Sequence, residues 1–378
     1  MKQVYFDNAA TTYMYDEVIN VMADSMKNNI GNPSSTHQFG RKAKVALETS
    51  RKKIAKLIGA NSNEIIFTSS GTEGNNLVLN NAVKNLGVKV IITSKIEHHA
   101  VLNVVENLSQ EYGVLVKYVA LDEFGGVDLD NLKELLSVSE EKVLVSLMMV
   151  NNEIGNILPF EEVAGMCVEY NALFHTDAVQ AVGHLPIDLN NVPIDFLVAS
   201  AHKFHGSKGV GFVFCRKEHV IKPMILGGNQ EKGVRSSTEN VHAIVGMAKA
   251  LEISVENMSD NSIHIQGIKQ YLCKSLKEIS SKIEFNGYSS SQTKSIPKIL
   301  NVRFPEQDKL LLFNLDLKGI AASSGSACQS GGIKVSHVLK EFVSETDLSK
   351  TSIRFSFSGE STKVEVDYLI EIINQFIK

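Results

Sequence analysis

The chain has 378 residues, of which 43% are hydrophobic and 21% charged, and a formal net charge of −4. That is the composition of a globular protein with core enough for two or three domains. It has no basic stripe and no apolar run near the ~18 residues of a membrane span, so direct nucleic-acid binding and membrane association are not expected. The opening MKQVYFDNAATT lacks an apolar signal core, which predicts a cytoplasmic location. Four widely spaced cysteines, Cys167, Cys215, Cys273 and Cys328, form no CxxC pair, so neither a zinc site nor a disulfide framework is expected.

In chain order, a short strand-like start leads into the small polar segment DNAATT at 7–12, and 16–27 has helical periodicity. A turn-rich loop, NNIGNPSS, precedes a helix expected over 40–58. A strand at 64–68 runs into Ser69-Ser70-Gly71-Thr72-Glu73-Gly74 and an apolar-periodic stretch over 75–83. Strand, glycine turn and helix start together form an arrangement that binds phosphate on backbone N–H groups, or else a plain helix cap at Ser70 or Thr72. Strands are expected at 88–93, ending in Glu97-His98-His99, and at 143–150, ending in Asn151-Asn152-Glu153. A helix at 160–170 and a strand at 173–175 lead to Asp177 and Gln180. The stretch DFLVASAHKFHGSKGVG then places Lys203 on a glycine-rich turn between strands at 195–199 and 210–214. Alternating strands and helices over 64–214 predict an α/β domain with a mainly parallel sheet. From 257 the character changes to a smaller α+β unit with a final helix over 363–378.

Thr72, His98, Asn152, Asp177, Gln180 and Lys203 all fall just past strand ends, where open α/β sheets bind ligands. A carboxylate there can keep a heteroaromatic nitrogen protonated. A lysine can bind an aldehyde covalently, and a helix start can hold a phosphate. These needs coincide in pyridoxal 5′-phosphate. Cys328 stands in SSGSACQSGG, a run with no large apolar side chain, which predicts an exposed loop rather than a buried thiol.

The motifs TSSGTEGNN, VNNEIG, HTDAVQAVG, SAHKFHGSKGVG, VRSSTENVHAIVG and SSGSAC resemble those of the NifS/IscS-type cysteine desulfurases. These are class V members of the fold-type I pyridoxal-phosphate enzymes. The resemblance runs from DNAATT to SIRFSF. It implies a large cofactor domain over 16–256 with a mainly parallel seven-stranded sheet. An arm over 1–15 would pack on a small domain over 257–378 that carries the catalytic cysteine loop.

The resemblance also implies roles. Lys203 would be the Schiff-base lysine, and Asp177 would pair with the pyridinium nitrogen. Gln180 and Asn152 would contact the ring oxygen. His98 would stack on the ring and move protons. Gly71, Thr72, Ser200 and His202 would bind the phosphate, and Thr238 the phosphate of the other subunit of a homodimer. Arg354, with Asn32 and Asn152, would hold the carboxylate of L-cysteine. Cys328 would take the sulfur as a persulfide, leaving L-alanine, and pass it to an acceptor such as an iron–sulfur scaffold or a tRNA-thiolation carrier. Selenocysteine lyase is the alternative within the fold, and a catalytically weak sulfur-transfer platform the alternative outside it. The loop after Cys328 departs from the pattern at Lys334 and Val335, where an acidic residue and proline are expected.

Overall fold

The computed structural model describes residues 2–305, 310–324 and 335–376. Cys328 and Lys334 therefore lie outside the described residues. A seven-stranded sheet has the spatial order Ile65–Thr68, Gly211–Cys215, Phe196–Ser200, Leu173–Asp177, Val143–Ser146, Val90–Thr93, Leu115–Tyr118. Gly211–Cys215 pairs antiparallel with both neighbours and every other pairing is parallel, so six strands run in one direction. Most of these strands are buried along their whole length, as helices cover both sheet faces. Their sequences accordingly read as continuous apolar runs such as VIIT and VLVS.

The covering helices follow ordinary patterning. Helix Gln38–Leu57 buries Ala43, Leu47, Ile54 and Ala55, one stripe at helical spacing, and His37 caps its start. Helix His99–Tyr112, edge strand Leu115–Tyr118 and helix Leu129–Ser137 fill a stretch in which local pattern singled out no element. The first of these buries Ala100, Val101, Val105 and Leu108 and stops at Gly113, whose φ is 65°. The strand expected over 143–150 ends at Ser146. Residues beyond it bend back in a hairpin that bridges Val150 to Ile157.

A smaller antiparallel sheet, ordered Ser352–Ser356, Ile299–Arg303, Glu284–Phe285, packs with helices Met258–Ile279 and Lys363–Phe376. Phe6, Leu272, Phe304, Phe355, Phe357 and Leu369 share this second core. The chain's first residues reach both cores. Val4–Tyr5 pairs in parallel with Ile320–Ala321, and Asp7 bridges to Ser356. Further on, the Thr12 amide and hydroxyl both donate to the His202 carbonyl, at 2.9 and 3.0 Å. Among the described residues no helix is long and apolar enough to cross a membrane.

Candidate active site

Because six strands share a direction, the segments following five of them open onto one edge of the sheet. There, with the chain's first residues, they line a cavity of about 530 Å³. Its walls include Gly71, Thr72, His98, Asn152, Asp177, Gln180, Ser200, His202, Lys203 and Arg354. Asn32 and Thr238 do not line it. Both are exposed, and the Asn32 side chain accepts from the Ser34 amide at 2.9 Å. Ser324 and Val335, on either side of residues 325–334, do line it.

The helix expected from 75 begins earlier, at Gly71, capped by Ser70, whose hydroxyl accepts from the Glu73 amide. A Cβ on Gly71 would sit 2.6 Å from Val179 Cγ2, so only glycine leaves the sheet end and helix start this close. The N–H groups of a first turn have no partner inside the helix and face an anion favourably. Glu73 is gripped by Arg235 at 2.8 and 3.2 Å, which ties the loop before Thr238 to this turn.

Asp177 is held by a chain of polar groups that sequence reasoning missed. Asn75 Nδ2 donates to Asp177 Oδ2 at 2.7 Å, and the Val179 amide donates to Oδ1 at 3.0 Å. A carboxylate only accepts, so the Asn75 amide orientation is fixed and its Oδ1 faces His175 Nε2 at 3.2 Å. His175 therefore carries its proton on Nε2 and accepts from Ser146 Oγ at Nδ1, 2.8 Å away. Burial pushes the His175 imidazolium down to about 3, which keeps the ring neutral. Asn75 stands in SSGTEGNN, one helical turn after Gly71. That spacing was the available signal, since it puts both on one face.

Lys203 sits in the short 3₁₀ turn Ala201–Lys203 and donates to the carbonyls of Ala9 and Ala10 at 2.7 and 2.8 Å. His98 caps the helix that follows it by accepting from the Ala100 amide at Nδ1, 3.0 Å away. Burial, with Lys203 and His99 nearby, lowers its pKa against the pull of Asp177, so the neutral ring holds its proton on Nε2. His202 is depressed to about 4 by burial and by Lys203. Gln180 Nε2 donates to the Ala9 carbonyl at 2.8 Å, while its buried Oε1 has no partner among the described residues.

Arg354 donates to the Asn152 carbonyl at 2.8 Å and to Asp7 Oδ1 at 2.9 Å, and its Nε is buried without a partner among the described residues. Asp7, not singled out from the sequence, thus orients the guanidinium and leaves its Nε without a partner among the described residues. A guanidinium can hold a carboxylate by the Nε and Nη2 hydrogens together.

At the far side of the cavity, Ser336 donates to Glu153, which is 3% exposed. Burial pushes the Glu153 carboxyl from 4.5 up to about 7, against the opposing effects of Ser336 and Arg354. A carboxyl raised in the folded state contributes stability that is fully present below about 4.5 and is lost as pH rises through about 7. Glu153→Gln keeps an acceptor for Ser336 and should flatten the decline of the urea midpoint over that window. A decline equally steep in variant and wild type would refute the assignment.

The donor set fits pyridoxal 5′-phosphate. The cavity is of ordinary cofactor size, and a helix start, a fixed carboxylate, a lysine and Gln180 all border it.

Comparison with known proteins agrees with this geometry. The model for the family described as "Aminotransferase class-V" matches residues 4–369. The chain is 41% identical to "Cysteine desulfurase IscS" of Dictyoglomus turgidum over 380 residues, covering 100% of this chain and 95% of that one. Among solved structures it is similar to a "NifS-like protein", with TM-score 0.91, 37% identity and 99% of each chain covered. It is also similar to "SspA in complex with cysteine", with TM-score 0.80, 30% identity, and 95% of this chain and 100% of that one covered. The chain belongs to the class-V aminotransferase family, among its IscS- and NifS-type cysteine desulfurase relatives.

Proposed function

We propose that this protein is a pyridoxal-phosphate-dependent cysteine desulfurase that converts L-cysteine to L-alanine and leaves the sulfur as a persulfide on Cys328. The observation that supports this most is the shared cavity. A helix start, Asp177, Lys203 and Arg354 border it, and so do Ser324 and Val335, which bracket the segment holding Cys328. One solved relative, SspA, is described in complex with cysteine.

The bound cofactor would supply an electron sink. Gly71, Thr72, Ser200 and His202 would hold its phosphate. Asp177, held in place by the Asn75 amide, would face its ring nitrogen, and Gln180 and Asn152 its ring oxygen. Arg354 would grip the substrate carboxylate. His98 would hold a proton at Nε2 above the site. Cys328, four residues past Ser324, would attack as the thiolate. A sulfur–sulfur bond forms as the substrate carbon–sulfur bond breaks, and the carbon gains a proton. One thiol and one cysteine thus become one persulfide and one alanine, with no external oxidant.

The test is to incubate the purified protein with L-cysteine and with L-selenocysteine and measure alanine. Alanine formed with cysteine, together with a mass gain of one sulfur on the Cys328 peptide, is the expected result. Alanine from selenocysteine alone would favour the lyase reading instead. Asp177→Asn should fold, since Asn75 can still donate to the new amide oxygen, yet lose about 10²–10³ in turnover. Unaltered turnover would sink the proposed ring pairing.

The further reading is a cytoplasmic homodimer that hands sulfur to an acceptor protein such as an iron–sulfur scaffold. Thr238, exposed and outside its own chain's cavity, would complete the partner's phosphate site. Thr238→Ala should therefore weaken cofactor retention in dialysis while leaving the chain folded. A fully active monomer in sedimentation would overturn that arrangement.

A further inference from the structure

The turn that carries Lys203 is held from outside at four consecutive residues, 202–205. His184 Nε2 donates to the Lys203 carbonyl at 2.8 Å, and Ser254 Oγ donates to the Phe204 carbonyl at 3.3 Å. The other two residues, His202 and His205, are both held by Thr12. The Thr12 hydroxyl accepts from the His205 amide at 2.8 Å, so its own hydrogen goes to the His202 carbonyl, 3.0 Å away. The Thr12 amide donates to that same carbonyl at 2.9 Å. One buried threonine thus bridges the residue before Lys203 to the residue two after it.

The backbone needs this grip. His205 has a φ of 65°, in the left-handed region that a residue with a side chain adopts only at a cost. The segment that brings Thr12 also holds the rest of His205. The His205 ring stacks on Tyr15 with centroids 4.2 Å apart, and its Nδ1 donates to the Tyr13 carbonyl at 3.0 Å. The same segment receives the lysine, since the Ala9 and Ala10 carbonyls accept from Lys203 Nζ at 2.7 and 2.8 Å. One stretch of chain therefore fixes where the Lys203 backbone runs and borders the place where its side chain ends. Upstream that stretch is anchored separately, as Asn8 Nδ2 donates to the Ser356 carbonyl at 2.9 Å and the Ala9 amide to Ser356 Oγ at 2.8 Å.

We propose that Thr12 is a positioning residue for Lys203, its hydroxyl setting the reach of the lysine amine into the large cavity. Thr12 does not border that cavity, so it acts only through the turn. A misplacement of about 1 Å at a reacting group can cost about 10²-fold in rate. This role rests on the reading of Lys203 as the lysine that bears the cofactor, which a peptide map of the borohydride-reduced wild type tests separately.

Thr12→Val, which keeps the shape of the side chain and removes the hydroxyl, should be compared with Thr12→Ser and wild type as cofactor-loaded protein. In Thr12→Val, kcat for alanine release should fall about 10–10²-fold while KM for cysteine moves less than about 2-fold, since Arg354 and its bond to Asp7 are untouched. The visible circular dichroism of the bound cofactor, read without cysteine, should shrink at unchanged cofactor content, because the ring is tethered to a shifted lysine. Thr12→Ser keeps the hydroxyl and should recover most of both signals. A purely structural role would lower the melting temperature of Thr12→Val and leave kcat and dichroism of the folded protein unchanged, which would overturn the proposal. So would Thr12→Ser as impaired as Thr12→Val. Should Thr12→Val not fold, Thr12→Ala, which removes the hydroxyl without setting a methyl against the His205 amide, is read by the same measurements. The dichroism needs no turnover of cysteine, so it decides the role of Thr12 even if the desulfurase reading fails.

Discussion

Lys203→Ala is expected to abolish covalent attachment of the cofactor and to lower alanine formation from cysteine by about 10³-fold or more. The wild type, reduced with borohydride and digested, should carry the cofactor's mass on the peptide containing Lys203, and the variant on no peptide. The physical grounds lie in the surroundings of two neighbouring lysines. Lys203 borders the large cavity, on the turn next to Ser200 and His202. Lys208, five residues on, is exposed and does not border it. An adduct on Lys208, or one surviving in the variant, would show the assignment to be wrong. The fold should tolerate the change. The Ala9 carbonyl keeps its bond from Gln180, and Thr12 still fastens the first residues to His202.

Cys328→Ala is expected to leave cofactor binding and the absorbance response to added cysteine intact, yet to release almost no alanine. The loss should again be about 10³-fold or more, since the nucleophile itself is removed. The other three cysteines are poor substitutes. Burial pushes the Cys273 thiol up to about 11 and the Cys215 thiol to about 12, and raises Cys167 further still. None of the three borders the cavity. A thiol of ordinary pKa is a few per cent thiolate near neutrality, and each unit of upward shift cuts that tenfold. Persulfide found on Cys167, Cys215 or Cys273, with Cys328→Ala fully active, would overturn the mechanism.

These two experiments separate the roles. A protein that loses the cofactor adduct in the first but keeps alanine release in the second would be a pyridoxal-phosphate enzyme with a different sulfur acceptor.

The alternation of apolar runs with helical stripes is a local property, and from residue 64 to 214 it suffices to mark the parallel α/β sheet. The placement of Thr72, His98 and Lys203 just past strand ends, and of Asp177 at one, is legible for the same reason, because strand direction and ligand edge are linked in such sheets. Where local pattern fails, it fails over 99–137, where it singled out neither the two helices nor the edge strand between them, and at boundaries. The apolar run 143–150 looks like one long strand, but its last residues are buried in a hairpin, and periodicity cannot tell those two kinds of burial apart.

Only the folded chain decides which polar groups meet. Asp7 reaches Arg354 across 347 residues, Glu153 reaches Ser336 across 183, and Asn75 links Asp177 to His175 from about 100 residues away. In the linear chain each of these is an ordinary polar residue in a loop or on a helix, and nothing in its neighbours names its partner. Lys298 shows the same limit most plainly. In SIPKILNVRF nothing in its neighbours marks it for burial, but packing of the two cores leaves it 2% exposed. Hydrogen-bond partners and counter-charges are chosen by proximity in three dimensions, and proximity is set by how the hydrophobic cores close on one another. Secondary structure follows from spacing along the chain, whereas the electrostatics of this site follow from that closure.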